Sequence, residues 1–511
     1  MPRAGATILS RSLLGLSAFA INVECRVGAG LPGTTIVGLP HGAVKEARDR
    51  VKSAISAAGY QYPEGHITIN LAPGDVAKSG TALDLPIAIA ILAASNQVSK
   101  QHLLSHEFIG ELGLFGEIRG VQGVVACVSA SSKAGRFAVI PYDNGQEASL
   151  VGPQHIKLAS SLRTVVDMLN DKTTLEPPPN AAPNPTAPHE TPTIIGQEAA
   201  KRALKVACAG GHHMLMVGPP GTGKSMLARY AALLLPSLPT PHKLEVASIY
   251  SAAGISRTNY TQAPFREPHH SASAAAIVGG GSPPQPGEVA LAHRGVLFLD
   301  ELPHFKPATL DLLREPLERG YIQISRAAYK VTFPCQFQLI TAMNPCPAGY
   351  VCSDTACRCT PSQKLRYQGR ISGPLLDRID MQIHVPQLPT EFLLSKNPAH
   401  QENVSLSEQQ EWVAATRQIQ FERQGCLNSE LSVAELSTHM EAADVPAHLV
   451  KQALKRLQLS ARGVHKLWRA ARTLADLDQA TQTNPLNPDN IQTQHFTEAL
   501  GYRSIDWSKG V

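Results

Sequence analysis

Short, near-continuous apolar runs recur through the middle of the chain, in HMLMVG at 213–218, GVLFLDE at 295–301 and FQLITAMNP at 337–345. Each stops abruptly at glycine or polar residues, as strands buried on both faces of a parallel sheet do. Between them the spacing changes. Gln197 to Ala209 (QEAAKRALKVACA) carries the 3.6-residue repeat of an amphipathic helix, and MLARYAALLL, from Met226, reads as a helix opened by a glycine-rich turn. YIQISRAAYKVTFPCQFQLI, 321–340, reads as a hairpin leading into the third strand. The N-terminus, MPRAGATILSRSLLGLSAFAINVEC, lacks a continuous apolar core and a small-residue cleavage site, so it is expected to start a strand and not to direct export. LDLPIAIAILAA, 83–94, carries an Asp and is too short to cross a bilayer.

The pattern breaks twice. DKTTLEPPPNAAPNPTAPHETPT, 171–193, is dense in Pro, Asn, Ala and Thr and predicts an extended linker. VPQLPTEFLLSKNPAHQENVSLSEQQ, 385–410, interrupts the α/β alternation, and beyond it the chain reads as mostly helical to about residue 502. The expected organisation is a domain at 1–170, the linker at 171–193, an α/β core at 194–390 and a helical domain at 391–511.

Composition adds limits. With 511 residues, 43% hydrophobic and 17% charged, the chain is long enough for several cored domains and excludes a disordered or membrane-spanning class. A net charge of +5 permits nucleic-acid binding without demanding it. Four of the nine cysteines fall within residues 346–359, which favours metal ligation over disulfides in a cytoplasmic protein.

The strongest chemical signal is GPPGTGKS: Gly218, Pro219, Pro220, Gly221, Thr222, Gly223, Lys224 and Ser225, with Met226 continuing into the helix. It satisfies the phosphate-loop pattern in the required context, after a strand and before a helix. Backbone N–H groups curl around phosphates there, and the helix N-terminus favours their charge. Lys224 is expected to reach the β- and γ-phosphates and Ser225 to ligate Mg²⁺. GVLFLDE then delivers two carboxylates at a strand tip: Asp300 for Mg²⁺ and Glu301 to polarise a water. Together these imply an NTPase. Asn344, at the tip of the next strand, could orient that water or merely begin the turn before Pro345.

GPPGTGKSMLA, FREPHHSAS…GGG, PGEVALAHRGVLFLDELPHF, TAMNPCP and ISGPLLDRID together resemble the magnesium-chelatase-like AAA+ ATPases, most closely their ComM/YifB-type branch. The resemblance covers nearly the whole chain. It implies a Lon-protease-like α+β N-terminal domain, a P-loop AAA+ α/β core with a parallel sheet, and a C-terminal helical lid. It also implies a homo-hexameric motor promoting DNA branch migration in natural transformation, with single-stranded or branched DNA and recombination proteins as partners. By position, Asn344 matches sensor 1 and Arg378 the arginine finger that reaches a neighbouring subunit's γ-phosphate. From spacing alone Arg378 equally fits a salt bridge with Asp377 or Asp380. LSARGVHKLWRAARTLADL resembles the sensor-2 helix, with Arg462 as the phosphate contact and Arg469, seven residues on, sharing its face.

FREPHHSAS lies where this clade carries an insertion. Adjacent histidines diverge on a helix or strand, and no acid–base partner stands at a telling spacing, so a pore-facing loop is expected. Arg266, His269 and His270 would lie near the nucleotide face or the threaded substrate. The hairpin at 321–340 matches the pre-sensor-1 hairpin, so Arg326 and Lys330 at its tip would contact DNA phosphates; a solvated basic turn looks the same in sequence. Cys346, Cys352, Cys357 and Cys359 could close a structural Zn²⁺ site or remain reduced thiols, and Ala348 stands where relatives usually have a further cysteine. In the front domain Ala82 and Val125 fall where a Lon-type serine and lysine belong, and Lys78 and Ser79 are adjacent and cannot substitute, which argues against a hydrolase. The segment 448–472 holds seven Lys/Arg and no acid, and is expected to add positive potential toward DNA or to be a solvated face. The competing function is a chelatase-type motor that remodels a partner for Mg²⁺ insertion. The front domain is expected to disfavour it, and Ala82 and Val125 disfavour a third reading, a protease regulator.

Overall fold

The computed structural model describes residues 5–39, 42–74, 78, 80–179, 194–326, 329–349, 357, 359–388, 404–457, 459–481, 490–503 and 505. Most of the linker, 180–193, and Cys352 lie outside them. The N-terminal residues form a long hairpin of β1 (Gly5–Leu14) and β2 (Ser17–Gly28). β3 (Gly33–Val37), β4 (His66–Ala72) and β5 (His106–Phe108) follow, then the short pair β6 (Glu111–Leu112) and β7 (Ile118–Arg119), then β8 (Phe137–Pro141) and β9 (Ile156–Ala159). The main sheet has the order β3-β4-β2-β1-β5-β8-β9. It is antiparallel around β2 and parallel from β1 through β5 and β8 to β9.

The apolar run at 83–94 becomes a helix, Asp84–Ala94, buried along its whole length against this sheet. A helix enclosed on every side is apolar all round, which removes the periodicity that would have marked it. Its Asp84 carboxylate is held by Arg50 Nε at 2.8 Å. Among the described residues no helix is long and apolar enough to cross a membrane.

The second sheet carries the candidate chemistry. It comprises β10 (Met214–Val217), β11 (Phe265–Arg266), β14 (Val296–Leu299), β17 (Gln338–Met343) and β18 (Met381–His384), all parallel, in the order β11-β14-β17-β10-β18. Strands β10, β14 and β17 are buried at every position, as their near-continuous apolar sequences require. Gln338 is tolerated in β17 because its Nε2 donates to His212 O at 2.8 Å. Two small hairpins are inserted: β12 (Gly279–Gly280) with β13 (Gln285–Pro286), and β15 (Tyr321–Arg326) with β16 (Tyr329–Pro334). The helix expected at Gln197–Ala209 runs Glu198–Gly210, with Gln197 just outside it at φ 60°.

The C-terminal part is helical: Leu406–Gln424, Val433–Glu441, Ala447–Leu457, Ala461–Ala480 and Thr493–Gly501. Ser405 with Glu408, and Ser432 with Glu435, form capping boxes that satisfy the first amides of two of these helices. Leu467, Trp468 and Leu474 pack with Ala203, Leu204 and Leu227 behind the second sheet. This packing changes the reading of the basic segment 448–472. Lys466 is tied to Asp380 at 2.8 Å, Arg472 is 1% exposed beside Asp476, and Arg469 donates to Leu431 O, so three of its cations work inside the fold. Lys451, Lys455 and Arg462 remain exposed.

Candidate nucleotide site

The site gathers at the C-terminal ends of β10, β14 and β17, where an open parallel sheet places its ligand crevice. Gly221 and Gly223 have φ of 76° and 86°, turning the chain into the helix Lys224–Leu234. Gly218 is required for space, since a Cβ there would lie 2.2 Å from Val385 O. Lys224 Nζ donates to Gly218 O and Pro219 O, both at 2.8 Å, and lies 3.3 Å from Asn344 Oδ1. Burial lowers its pKa, and Asp300 and Glu301 oppose that shift. Ser225 Oγ donates to Asp300 Oδ2 at 2.7 Å. A hydroxyl and a carboxylate that converge in this way fit a shared Mg²⁺, and amides 221–225 fit a polyphosphate.

Glu301 adopts φ 51° and donates its backbone N–H to Asp300 Oδ1 at 2.8 Å. Its carboxylate meets a partner that spacing did not indicate: His270 Nδ1 lies 3.5 Å from Glu301 Oε2. Strand β11 pairs with β14, so the residues just beyond each strand arrive on the same edge. The expectation that the adjacent histidines diverge fails because they sit in a loop, where no helix or strand period applies. Their ring centroids are 4.1 Å apart, and the line continues from His270 to His304 at 5.8 Å and from His304 to Tyr367 at 6.1 Å. Tyr367 hydrogen-bonds the Asn344 backbone, and burial pushes its hydroxyl up to about 12. Neither Tyr367 nor His304 had a signal in the sequence. His269 bonds Ser271 Oγ at 2.7 Å. Arg266 is held bidentately by Glu288, at 2.6 and 2.7 Å.

Arg378 and Arg462 meet elsewhere. Arg378 donates to Pro374 O at 2.6 Å and pairs with Glu318; neither Asp377 nor Asp380 is its partner. Asp380 instead takes Lys466 and the His213 amide, and against the effect of burial the Lys466 ammonium holds its carboxyl well below the usual range. Arg462 Nη1 lies 3.8 Å from the same Glu318 Oε1. Arg469 shares its helix but is directed to Leu431 O, so the two arginines do not act at one place.

Cys346, Cys357 and Cys359 bring their sulfurs within 4.8 Å of one another, with Cys346 and Cys357 at 3.6 Å. Cys357 is held below the ordinary thiol value by hydrogen bonds from Cys359 and Cys346. The loop abuts the phosphate loop: a Cβ on Gly349 would be 3.1 Å from Pro220 Cδ. Arg326 and Lys330 are exposed at the end of the β15–β16 hairpin, across which Ser325 pairs with Lys330 and Arg326 with Tyr329. In the front domain Val125 is 1% exposed and Lys78 is fully buried against Pro73 O, leaving no serine–lysine pair beside Ala82 among the described residues.

Comparison with known proteins identifies the family. Three family models match: "Magnesium chelatase, subunit ChlI" over residues 191–393, "Subunit ChlI of Mg-chelatase" over 23–144, and "Magnesium chelatase, subunit ChlI C-terminal" over 404–503. The chain is 46% identical to "Uncharacterized protein YifB" of Escherichia coli, covering 97% of this chain and 96% of that protein. It is 44% identical to "Competence protein ComM" of Haemophilus influenzae, covering 98% and 97%. The "Magnesium-chelatase 38 kDa subunit" of Rhodobacter capsulatus is 29% identical over 30% of this chain and 49% of that subunit. The chelatase name also attaches to the front region, so that domain does not by itself separate a DNA motor from a chelatase-type motor.

Proposed function

Because the chain belongs to the magnesium-chelatase-like family that includes the ComM and YifB proteins, we propose that it is an ATPase working as a hexameric ring that drives branch migration of recombining DNA. One observation carries the hydrolytic part: Lys224, Ser225, Asp300, Glu301 and Asn344, drawn from three strand ends, converge on one crevice. In this reading Lys224 exchanges its two carbonyl partners for the β- and γ-phosphates of ATP, and Ser225 and Asp300 hold Mg²⁺. Glu301 accepts a proton from the attacking water while His270 steadies its carboxylate, and Asn344 orients that water. Arg378 and Arg462 share one counter-ion, so they serve together at the neighbouring subunit's phosphate, which makes a closed ring the working assembly.

The DNA part rests on the exposed Arg326 and Lys330 and on the near full-length likeness to a protein named for competence. Their contacts would be to phosphates, giving grip without sequence preference. The chelatase-type alternative rests on family names and on a relative aligned over less than a third of the chain. Cys346, Cys357 and Cys359 are proposed to hold a structural Zn²⁺: three thiolates about 2.3 Å from a tetrahedral ion stand about 3.8 Å apart, close to the observed 3.6 Å. ATP-dependent displacement of a labelled strand from a three-way DNA junction tests the motor. Displacement by the wild type and none by Glu301→Gln supports it; no displacement under hydrolysing conditions overturns it.

A further inference from the structure

A two-stranded hairpin is marginal in water unless something packs on it. In β15–β16 the side chains of Ile322, Ile324, Val331 and Phe333 are at most 8% exposed, so something does. At Val331 the cover comes from the front domain. The turn between β1 and β2 reaches the hairpin so closely that a Cβ on Gly15 would lie 2.2 Å from Val331 Cγ1, and Gly15 has φ +61°. Space and backbone both require glycine there. Leu14, Leu16 and Ala18 pack beside it against the same apolar cluster.

The inserted β12–β13 hairpin covers the same apolar face at Ile324, the residue paired with Val331 across the hairpin. A Cβ on Gly279 would lie 2.7 Å from Ile324 Cδ1, and one on Gly280 would be 3.7 Å from Arg326 Nη2. The same insertion faces the front domain across a cavity of about 320 Å³, lined by Gly15, Thr81 and Ala82 on one side and Pro283 to Pro286 on the other.

The front domain is itself fastened to the nucleotide-sheet region. Gly123 N donates to Ser251 O at 2.8 Å, and Val124 and Val125 join Val246 and Ile249 in one continuous core. A turn anchored at its base in this way can hold a hairpin at a set angle; a tethered domain could not.

We propose that the front domain is a brace for the basic hairpin: the Gly15–Leu16 turn and the Gly279–Pro286 insertion pack side by side on its one apolar face and set where Arg326 and Lys330 stand. Gly15 and Leu16 are therefore positioning residues. Their effect on DNA rests on the reading of the hairpin as the DNA grip, whereas their effect on the hairpin does not. The test uses the full chain with Gly15→Ala, and with Leu16→Ala as a variant free of backbone strain. Amide hydrogen exchange across Tyr321–Pro334, ATPase without DNA and ATPase with branched DNA are measured together. The brace predicts at least tenfold faster exchange in the hairpin, DNA-free ATPase within twofold of wild type, and DNA stimulation reduced at least fivefold. Faster exchange with full DNA stimulation upholds the brace and overturns the DNA-grip reading. Unchanged hairpin exchange in folded Leu16→Ala protein overturns the brace.

Discussion

His270 Nδ1 stands 3.5 Å from Glu301 Oε2, at the ends of two neighbouring parallel strands. The carboxylate proposed to take a proton from water is thereby held by a residue from the edge of the sheet. A misplaced base costs rate without costing affinity. His270→Ala should lower kcat about tenfold, equivalent to about 1.4 kcal/mol in the barrier, and leave KM for ATP within about twofold. Steady-state ATPase kinetics check both numbers; a raised KM with unchanged kcat would assign His270 to nucleotide binding instead.

The remaining site residues divide by what they touch. Lys224→Ala removes the phosphate cation and should abolish ATP binding as well as turnover. Glu301→Gln should bind ATP normally and lose at least about 100-fold in kcat. Arg378→Ala should also bind ATP but lose about 1,000-fold, the scale of an arginine supplied in trans. Mixing Arg378→Ala with Lys224→Ala subunits should restore part of the activity, because one lends its arginine and the other its phosphate loop. Nucleotide-binding titrations and ATPase rates on the mixture check this.

Much of this site was legible in the sequence, for a definite reason. The phosphate loop, the Asp300–Glu301 tip and Asn344 each lie at the end of a short apolar strand, so local sequence carries both the residue and its placement. His270 was expected near the nucleotide face or the threaded substrate, but its pairing with Glu301, like the places of Tyr367 and Glu318, was not legible, because such partners are set by sheet order and loop path, which spacing does not encode. The Asp84–Ala94 helix lost its periodicity through complete burial. The basic run at 448–472 misled for the opposite reason: Lys466 and Arg472 find internal carboxylates on Asp380 and Asp476, which a charge count does not reveal.

The cysteine cluster makes a prediction about metal. Wild-type protein purified without chelator should carry one zinc per chain, and Cys357→Ser with Cys359→Ser should carry none. Because Gly349 in this loop abuts Pro220, loss of zinc should also weaken ATP binding several-fold. Elemental analysis alongside nucleotide titration checks both; a zinc-free wild type with normal ATP affinity would leave the cysteines as reduced thiols.

Buried histidines predict the pH dependence of stability. Burial pushes the imidazoles of His212, His213 and His293 down to about 4. Between pH 6.5 and 4 the unfolded chain binds more protons than the folded one, so their contribution is complete above pH 6.5 and is lost as pH falls toward 4. At the acid end each is worth about 3 kcal/mol. Tm should fall continuously from pH 7 to pH 5, and His212→Gln should flatten that slope while lowering Tm at pH 7. Thermal melts across this range decide it.

The central claim is that ATP hydrolysis drives movement on DNA gripped by the basic hairpin. The most direct measurement is the ATPase rate with and without branched DNA, for wild type and for Arg326→Ala/Lys330→Ala. The account predicts strong stimulation of the wild type, none in the double variant, and equal rates without DNA. A wild-type rate indifferent to every DNA tested would contradict it and direct attention to a protein client.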